Sequence, residues 1–189
     1  MRVGIYGGSF DPPHVGHIIL ATDACERLRL DLLLLVPAHT QPFKTGRPDV
    51  AAPQHRLEML RMSAGADPRF RVEPVEIERG GLSYTVDTLE ELAPRYPGAE
   101  LFLIVGEDAV DGMHKWRRPE RIRELVTLTA LRRNSGERKA LPDGVLEASC
   151  RVVEVASSEI RERIEAGKSI RGFVIDAVDD YIRRNGLYR

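Results

Sequence analysis

Apolar runs and helical stripes alternate along the chain and predict strands and helices in turn. Residues 3–6 form a short apolar run that reads as a buried strand. The run enters Gly7-Gly8-Ser9-Phe10-Asp11-Pro12-Pro13-His14-Val15-Gly16-His17. Out of that stretch comes a stripe at Val15, Ile18, Thr22 and Cys25, which is helical spacing. Residues 32–36 are apolar throughout and close at Pro37. Such strands are buried on both faces, as in a parallel sheet covered by helices. Residues 54–64 predict a helix with Leu57, Leu60, Arg61 and Ala64 on one face, and residues 70–75 predict an alternating strand. After the break at Gly80-Gly81, a helix opens within residues 83–89, with Val86, Leu89, Leu92, Ala93 and Tyr96 on its stripe. Residues 101–105, 126–131 and 151–155 read as further strands. Residues 119–125 and 175–184 read as helices, the last ended by Asn185-Gly186. The alternation predicts a single α/β domain over residues 1–189, a mainly parallel sheet with helices on both faces.

Composition narrows the functional classes. A net charge of −1 leaves no global basic field, so nucleic acid is not an expected partner. The two cysteines, Cys25 and Cys150, have no metal-ligand spacing and make no disulfide framework, which favours a reducing compartment. The first residues carry no signal-peptide pattern, and no apolar run approaches a membrane span, so a cytoplasmic protein is expected. The sequence leaves a homo-oligomer open.

The stretch from Gly7 to His17 carries the chemistry. Glycines let a backbone approach a ligand closely, and a helix start offers free N–H groups and a positive dipole end that suit phosphate. His14 and His17 lie three apart near that end. Imidazolium groups there can donate charge-assisted hydrogen bonds to a polyphosphate, most usefully where charge builds up in a transition state. The bland alternative is one histidine capping the helix and the other satisfied in the core.

Gly-Gly-Ser-Phe-Asp-Pro-Pro-His-x-Gly-His resembles the signature of the nucleotidyltransferases with the His-x-Gly-His motif. Its doubled glycine and doubled proline are most similar to the bacterial branch that adenylylates nicotinate mononucleotide. The resemblance runs from Met1 to Tyr188. It implies a Rossmann-like, doubly wound fold and a reaction of ATP with nicotinate mononucleotide giving deamido-NAD and pyrophosphate. It assigns Gly7, Gly8, Ser9, Phe10, His14 and His17 to ATP, with Ser9 also touching the acceptor nucleotide. Mg²⁺ is expected to arrive with ATP, since magnesium leans on substrate phosphates, and no protein metal site is expected.

Four further stretches acquire roles on that basis. The loop of residues 37–46 follows the carboxyl end of a strand, where open α/β sheets place ligands. Its Lys44 resembles the family lysine that contacts the phosphates of both substrates. Ser83-Tyr84-Thr85-Val86-Asp87-Thr88-Leu89 is similar to the segment holding the nicotinate ring, with Tyr84 and Thr85 as ligands. A hydroxyl there would also serve as a plain helix cap. Gly106 and Asp108 match the family's Gly-x-Asp on the ATP side. The resemblance puts Trp116 on the pyridine face and gives the backbone N–H of Arg117 to the ring carboxylate.

Ala156-Ser157-Ser158-Glu159-Ile160-Arg161 resembles the second signature, Ser-Ser-Thr-x-Ile-Arg, with alanine in place of the first serine. Ser157, Ser158, Ile160 and Arg161 are thereby assigned to ATP, with Arg161 gripping phosphate oxygens in pairs. Arg132 or Arg133 matches a family arginine near the phosphates. Arg56 could meet a substrate or pair with a neighbouring acid, and the acid is the favoured expectation. His14, His17, Lys44 and Arg161 form the expected catalytic set. Phosphopantetheine adenylyltransferase shares the first motif but leaves residues 83–89 and Trp116 unexplained. A nicotinamide mononucleotide preference turns on carboxylate against amide, which spacing does not decide. An NAD-dependent oxidoreductase is disfavoured because Gly-x-Gly-x-x-Gly is missing after the first strand. A non-catalytic nucleotide sensor would have no need of both histidines and the arginine.

Overall fold

The computed structural model describes residues 1–42, 51–65, 67–133 and 140–189, with Asp108 and Arg133 described by their backbone alone. Among these residues six strands form one sheet: β1 (Arg2–Gly8), β2 (Leu32–Pro37), β3 (Phe70–Val72), β4 (Glu100–Gly106), β5 (Thr127–Arg133) and β6 (Val145–Cys150). The order is β3-β2-β1-β4-β5-β6 and every pairing is parallel. β1 pairs with β2 on one side and β4 on the other. The strand order therefore reverses at β1, and a crevice opens beyond the carboxyl ends of β1 and β4.

The helices are α1 (Val15–Leu28), α2 (Pro53–Ala64), α3 (Val75–Arg79), α4 (Thr85–Leu92), α5 (Glu107–Asp111), α6 (Pro119–Leu125), α7 (Ser157–Glu165) and α8 (Asp176–Asn185). They cover both faces because strand side chains alternate. Val3, Ile5, Leu34, Leu103 and Val105 join Val86, Leu89 and Leu92 of α4 and Ile122 of α6 in one core. Leu33, Leu35, Phe102 and Ile104 join Ala21, Ala24, Cys25 and Leu28 of α1 in another. Truncating one of these leucines to alanine should cost roughly 2–5 kcal/mol. A third core, with Met59 of α2, Ile160 of α7, and Val178 and Ile182 of α8, holds the carboxyl-terminal helices. This is the doubly wound, two-faced architecture expected from the apolar runs.

Four local expectations change. On α1 only Cys25 of the expected stripe is fully buried, while Val15, Ile18 and Thr22 are half-buried. The small Ala21 and Ala24 take the sheet side instead. Arg61 is exposed and pairs with Glu58 at 2.5 Å; Arg56 and Met59 turn inward in its place. The strand expected at residues 70–75 stops at Val72, and α3 begins at Val75. Pro74 cannot donate to a ladder and ends the pairing. The last strand is β6, and residues 151–156 have no regular structure. At the edge of the sheet β6 buries only Ala148 and Cys150, so its sequence lacks the apolar run of a central strand.

Candidate active site

The chain leaves β1 through residues 9–14 and enters α1. Phe10 adopts φ of 49° yet is only 1% exposed. Its ring sits edge-on to His17, 5.0 Å between centroids. A Cβ at Gly8 would come within 3.2 Å of that ring, so glycine is required by the close approach. His14 is the N-cap residue of α1, and its backbone N–H donates to Nδ1 of His17 at 3.1 Å. With Nδ1 accepting, the proton of a neutral His17 ring resides on Nε2.

The two imidazoles stack at 3.7 Å. Gly16 makes room for them, since a Cβ there would lie 2.9 Å from Nδ1 of His14. Burial pushes the His14 pKa down from 6.5 to about 4. His14 is therefore neutral near pH 7 in this state, which corrects the expectation of two imidazolium donors. Its Nδ1 is buried and without a hydrogen-bond partner among the described residues.

α7 supplies the second corner. Ser157 Oγ donates to the Pro12 carbonyl at 2.9 Å. Arg161 Nη1 donates to the Asp11 carbonyl at 2.7 Å and lies 3.8 Å from Oδ2 of Asp11. Ala156 caps α7 with no side-chain bond. The two corners thus touch, and a cavity of about 640 Å³ opens between them, lined by Gly7, Gly8, Ser9, Phe10, His14, His17, Ser157, Ser158 and Arg161. Ile160 is different: its side chain is fully buried in the third core, and its N–H is bonded to the Ala156 carbonyl. It contributes by anchoring α7 rather than by reaching the cavity.

A second cavity of about 960 Å³ adjoins the first and shares Tyr6, Gly7, Gly8, Ala38 and Gln41 with it. Tyr84, Thr85, Trp116 and Arg117 line it, as does Gly106, which had been expected on the ATP side. Trp116 is half-buried and leans on the core shared with α4. Arg117 places its guanidinium 4.9 Å from the Tyr84 ring centroid and pairs with Asp87 at 3.1 Å. Ser83 is not a helix cap: its Oγ accepts the His39 N–H at 2.9 Å, tying the loop after β2 to the start of α4. Lys44 lies outside the described residues, as does most of the polar stretch 134–141. Asp108 has its backbone at the start of α5, just past β4.

Three features escaped the sequence reading. Arg56, 2% exposed, pairs with no acid among the described residues; its guanidinium donates instead to backbone carbonyls of Ser9, Ala38, His39 and Ala51. No local pattern marks it, because its partners are main-chain atoms. Asp11 accepts the Tyr188 hydroxyl at 2.7 Å and the Ala51 N–H at 3.1 Å, binding the carboxyl terminus to the phosphate turn. Burial and the Asp11 carboxylate push the Tyr188 pKa up. Glu76, buried beside the second cavity, accepts the Thr88 hydroxyl at 2.6 Å, and its burial raises its pKa. Arg132 is committed elsewhere: its buried side chain reaches Glu107 at 2.8 Å and Glu147 at 3.2 Å, and it lines neither cavity.

A strand-to-helix turn bearing paired histidines, closed by a serine-arginine corner, defines a nucleotidyltransferase. The chain belongs to the cytidylyltransferase-like family, whose model matches residues 5–163. It is 46% identical over 198 residues to a protein of Gemmatimonas aurantiaca named "Probable nicotinate-nucleotide adenylyltransferase", covering 100% of this chain and 93% of that one. It is 42% identical over 189 residues to a Thermus thermophilus protein of the same name, covering both chains fully. Its fold is similar to that of the Plasmodium falciparum nicotinic acid mononucleotide adenylyltransferase complexed with NaAD, with a TM-score of 0.80, 18% identity, and 99% and 97% of the two chains covered. Among the described residues no helix is long and apolar enough to cross a membrane.

Proposed function

We propose that the protein transfers the adenylyl group of ATP to nicotinate mononucleotide, giving deamido-NAD and pyrophosphate in NAD biosynthesis. The observation that carries this reading is the adjacency of two cavities across Gly7 and Gly8, one between the phosphate-type corners and one against Trp116 and Thr85. An oxygen of the acceptor's 5′-phosphate attacks the α-phosphorus of ATP. The bond from that phosphorus to the bridging oxygen breaks, and pyrophosphate leaves with the electron pair. The nucleophile is already ionised near neutral pH, so no general base is needed, and rate comes from orientation and charge stabilisation. His17 offers Nε2–H to the α-phosphate, and His14 gains a proton or a hydrogen bond once the anion is beside it. Ser158 and Arg161 hold the departing pyrophosphate, and Ser157 keeps their helix against the turn. Lys44 bridges the phosphates of both substrates by family resemblance.

Trp116 stacks on the pyridine ring, with Tyr84, Thr85 and the Arg117 N–H around its carboxylate. Asp108 and Gly106 take up the ribose end. Magnesium enters bound to the phosphates of ATP. Its ligands would be the substrate phosphates and water rather than a protein cage. The whole chain works as one domain. Its two cysteines are buried and free, in keeping with a cytoplasmic enzyme. The test is pyrophosphate release with ATP and, in turn, nicotinate mononucleotide, nicotinamide mononucleotide and phosphopantetheine. The first acceptor should give the highest kcat/KM. A preference for phosphopantetheine would refute the reading.

A further inference from the structure

We propose that Arg56 is a positioning residue that holds the phosphate turn and the acceptor wall at the spacing adenylyl transfer needs. The inference rests on the adenylyltransferase reading and extends it to a residue at the edge of the first cavity whose four side-chain hydrogen bonds all go to backbone. Arg56 sits on α2, outside both signature motifs. Its Nη1 donates to the carbonyl of Ser9 at 2.7 Å and of Ala38 at 2.6 Å. Its Nη2 donates to His39 at 2.8 Å, and its Nε to Ala51 at 3.0 Å. Ser9 belongs to the turn after β1, Ala38 and His39 to the loop after β2, and Ala51 to the entry of α2. One planar fork therefore joins three separate segments, two of them at the mouth of the crevice.

The brace continues toward the acceptor side. His39 N–H donates to Ser83 Oγ at 2.9 Å, and Ser83 N–H donates to the Thr40 carbonyl at 2.9 Å. Ser83 also lies beside Glu76, which accepts the Thr88 hydroxyl on α4. Hydrogen bonds thus lead from the phosphate turn, through Arg56 and the loop after β2, to Ser83, two residues before Thr85 at the start of α4. Burial works against the guanidinium charge and lowers its pKa, while Asp11 and Glu76 favour the charge. Lysine cannot replace the guanidinium, because a single ammonium has neither the planar fork nor the reach to four acceptors.

The dinucleotide product spans both cavities, whereas ATP or nicotinate mononucleotide alone depends mainly on one. Loosening the spacing should therefore weaken the linked molecule more than its parts. For Arg56→Lys we expect affinity for deamido-NAD to fall about 10-fold or more, with ATP and nicotinate mononucleotide each changing less than about 3-fold. Per titrated site, kcat should fall by a similar factor. A residue that merely supports folding would lower the number of binding sites and leave all three affinities alike. Parallel changes, or none, would overturn the proposal. If Arg56→Lys folds poorly, Arg56→Ala in methylguanidinium replaces it; regained product affinity supports the brace and a native but unrescued protein overturns it. Amide exchange of the ligand-free protein judges the brace separately from the function. Exchange at Phe10 and Thr40 should quicken in the variant, and unchanged rates there overturn the brace. Failure of the wild type to bind any of the three nucleotides would count against the function, with the exchange result still deciding on Arg56.

Discussion

The phosphate cleft and the acceptor cavity sit side by side but are held together by different forces. Around the cleft the contacts are half-buried or buried and go to backbone: Ser157 to Pro12, Arg161 to Asp11, Arg56 to Ser9, Ala38 and His39. Around the acceptor shelf they are exposed ion pairs. Asp87 takes Arg117 and Arg118, and Glu90 takes Arg118 and Arg121, the arginine side chains being 44–54% exposed. Exposed pairs contribute little singly and are screened by salt. Sheltered contacts to neutral carbonyls depend on it much less. The first cavity is braced by main-chain contacts, and the outer rim of the second by solvent-screened ion pairs.

The contrast can be broken at graded points. His17→Ala should reduce kcat by roughly 100-fold or more with the circular dichroism spectrum retained, because it removes a donor to developing charge; near-normal turnover would remove it from the mechanism. The depressed His14 pKa makes the cleft acid-sensitive. Between pH 6.5 and 4 the unfolded chain binds a proton that the folded chain resists, so stability falls as pH falls through that window. The loss should reach roughly 2 kcal/mol between pH 7 and 5 in denaturant titrations. His14→Gln should flatten that slope, and an unchanged slope would place the acid sensitivity elsewhere. Trp116→Ala should raise KM for nicotinate mononucleotide about 10-fold and leave KM for ATP within about twofold; equal effects on both would argue against ring stacking. Smallest of all, Asp87→Asn should raise KM for the acceptor about threefold by releasing Arg117 and Arg118. Its effect should vanish in high salt, where the wild type has already lost the pairs.

The strong periodic elements were legible in the chain. Residues 32–36, apolar throughout, form the fully buried β2, and the glycine-rich turn joins β1 to α1 as its composition demands. The meeting of that turn with Ser157 and Arg161 followed from family resemblance, since nothing local brings residue 11 to residue 161. Arg56 was expected to pair with an acid because a carbonyl acceptor carries no side-chain signature. β6 was missed because an edge strand buries too few side chains to look apolar. Asp11 carried no separate reading within the turn; its carboxylate finds Tyr188, Ala51 and Arg161 only in the folded chain.

By itself the sequence determined the local geometry: where strands could be buried, where only glycine could sit, and which turn would open a helix toward phosphate. Those are matters of backbone sterics and side-chain period, which act over a few residues. The tertiary structure alone decided which distant groups meet and which of them are charged. It buried His14 and so made it neutral, and it gave Arg132 to two acids. Burial and contact are properties of the folded surface, set by segments that the chain separates by up to 177 positions.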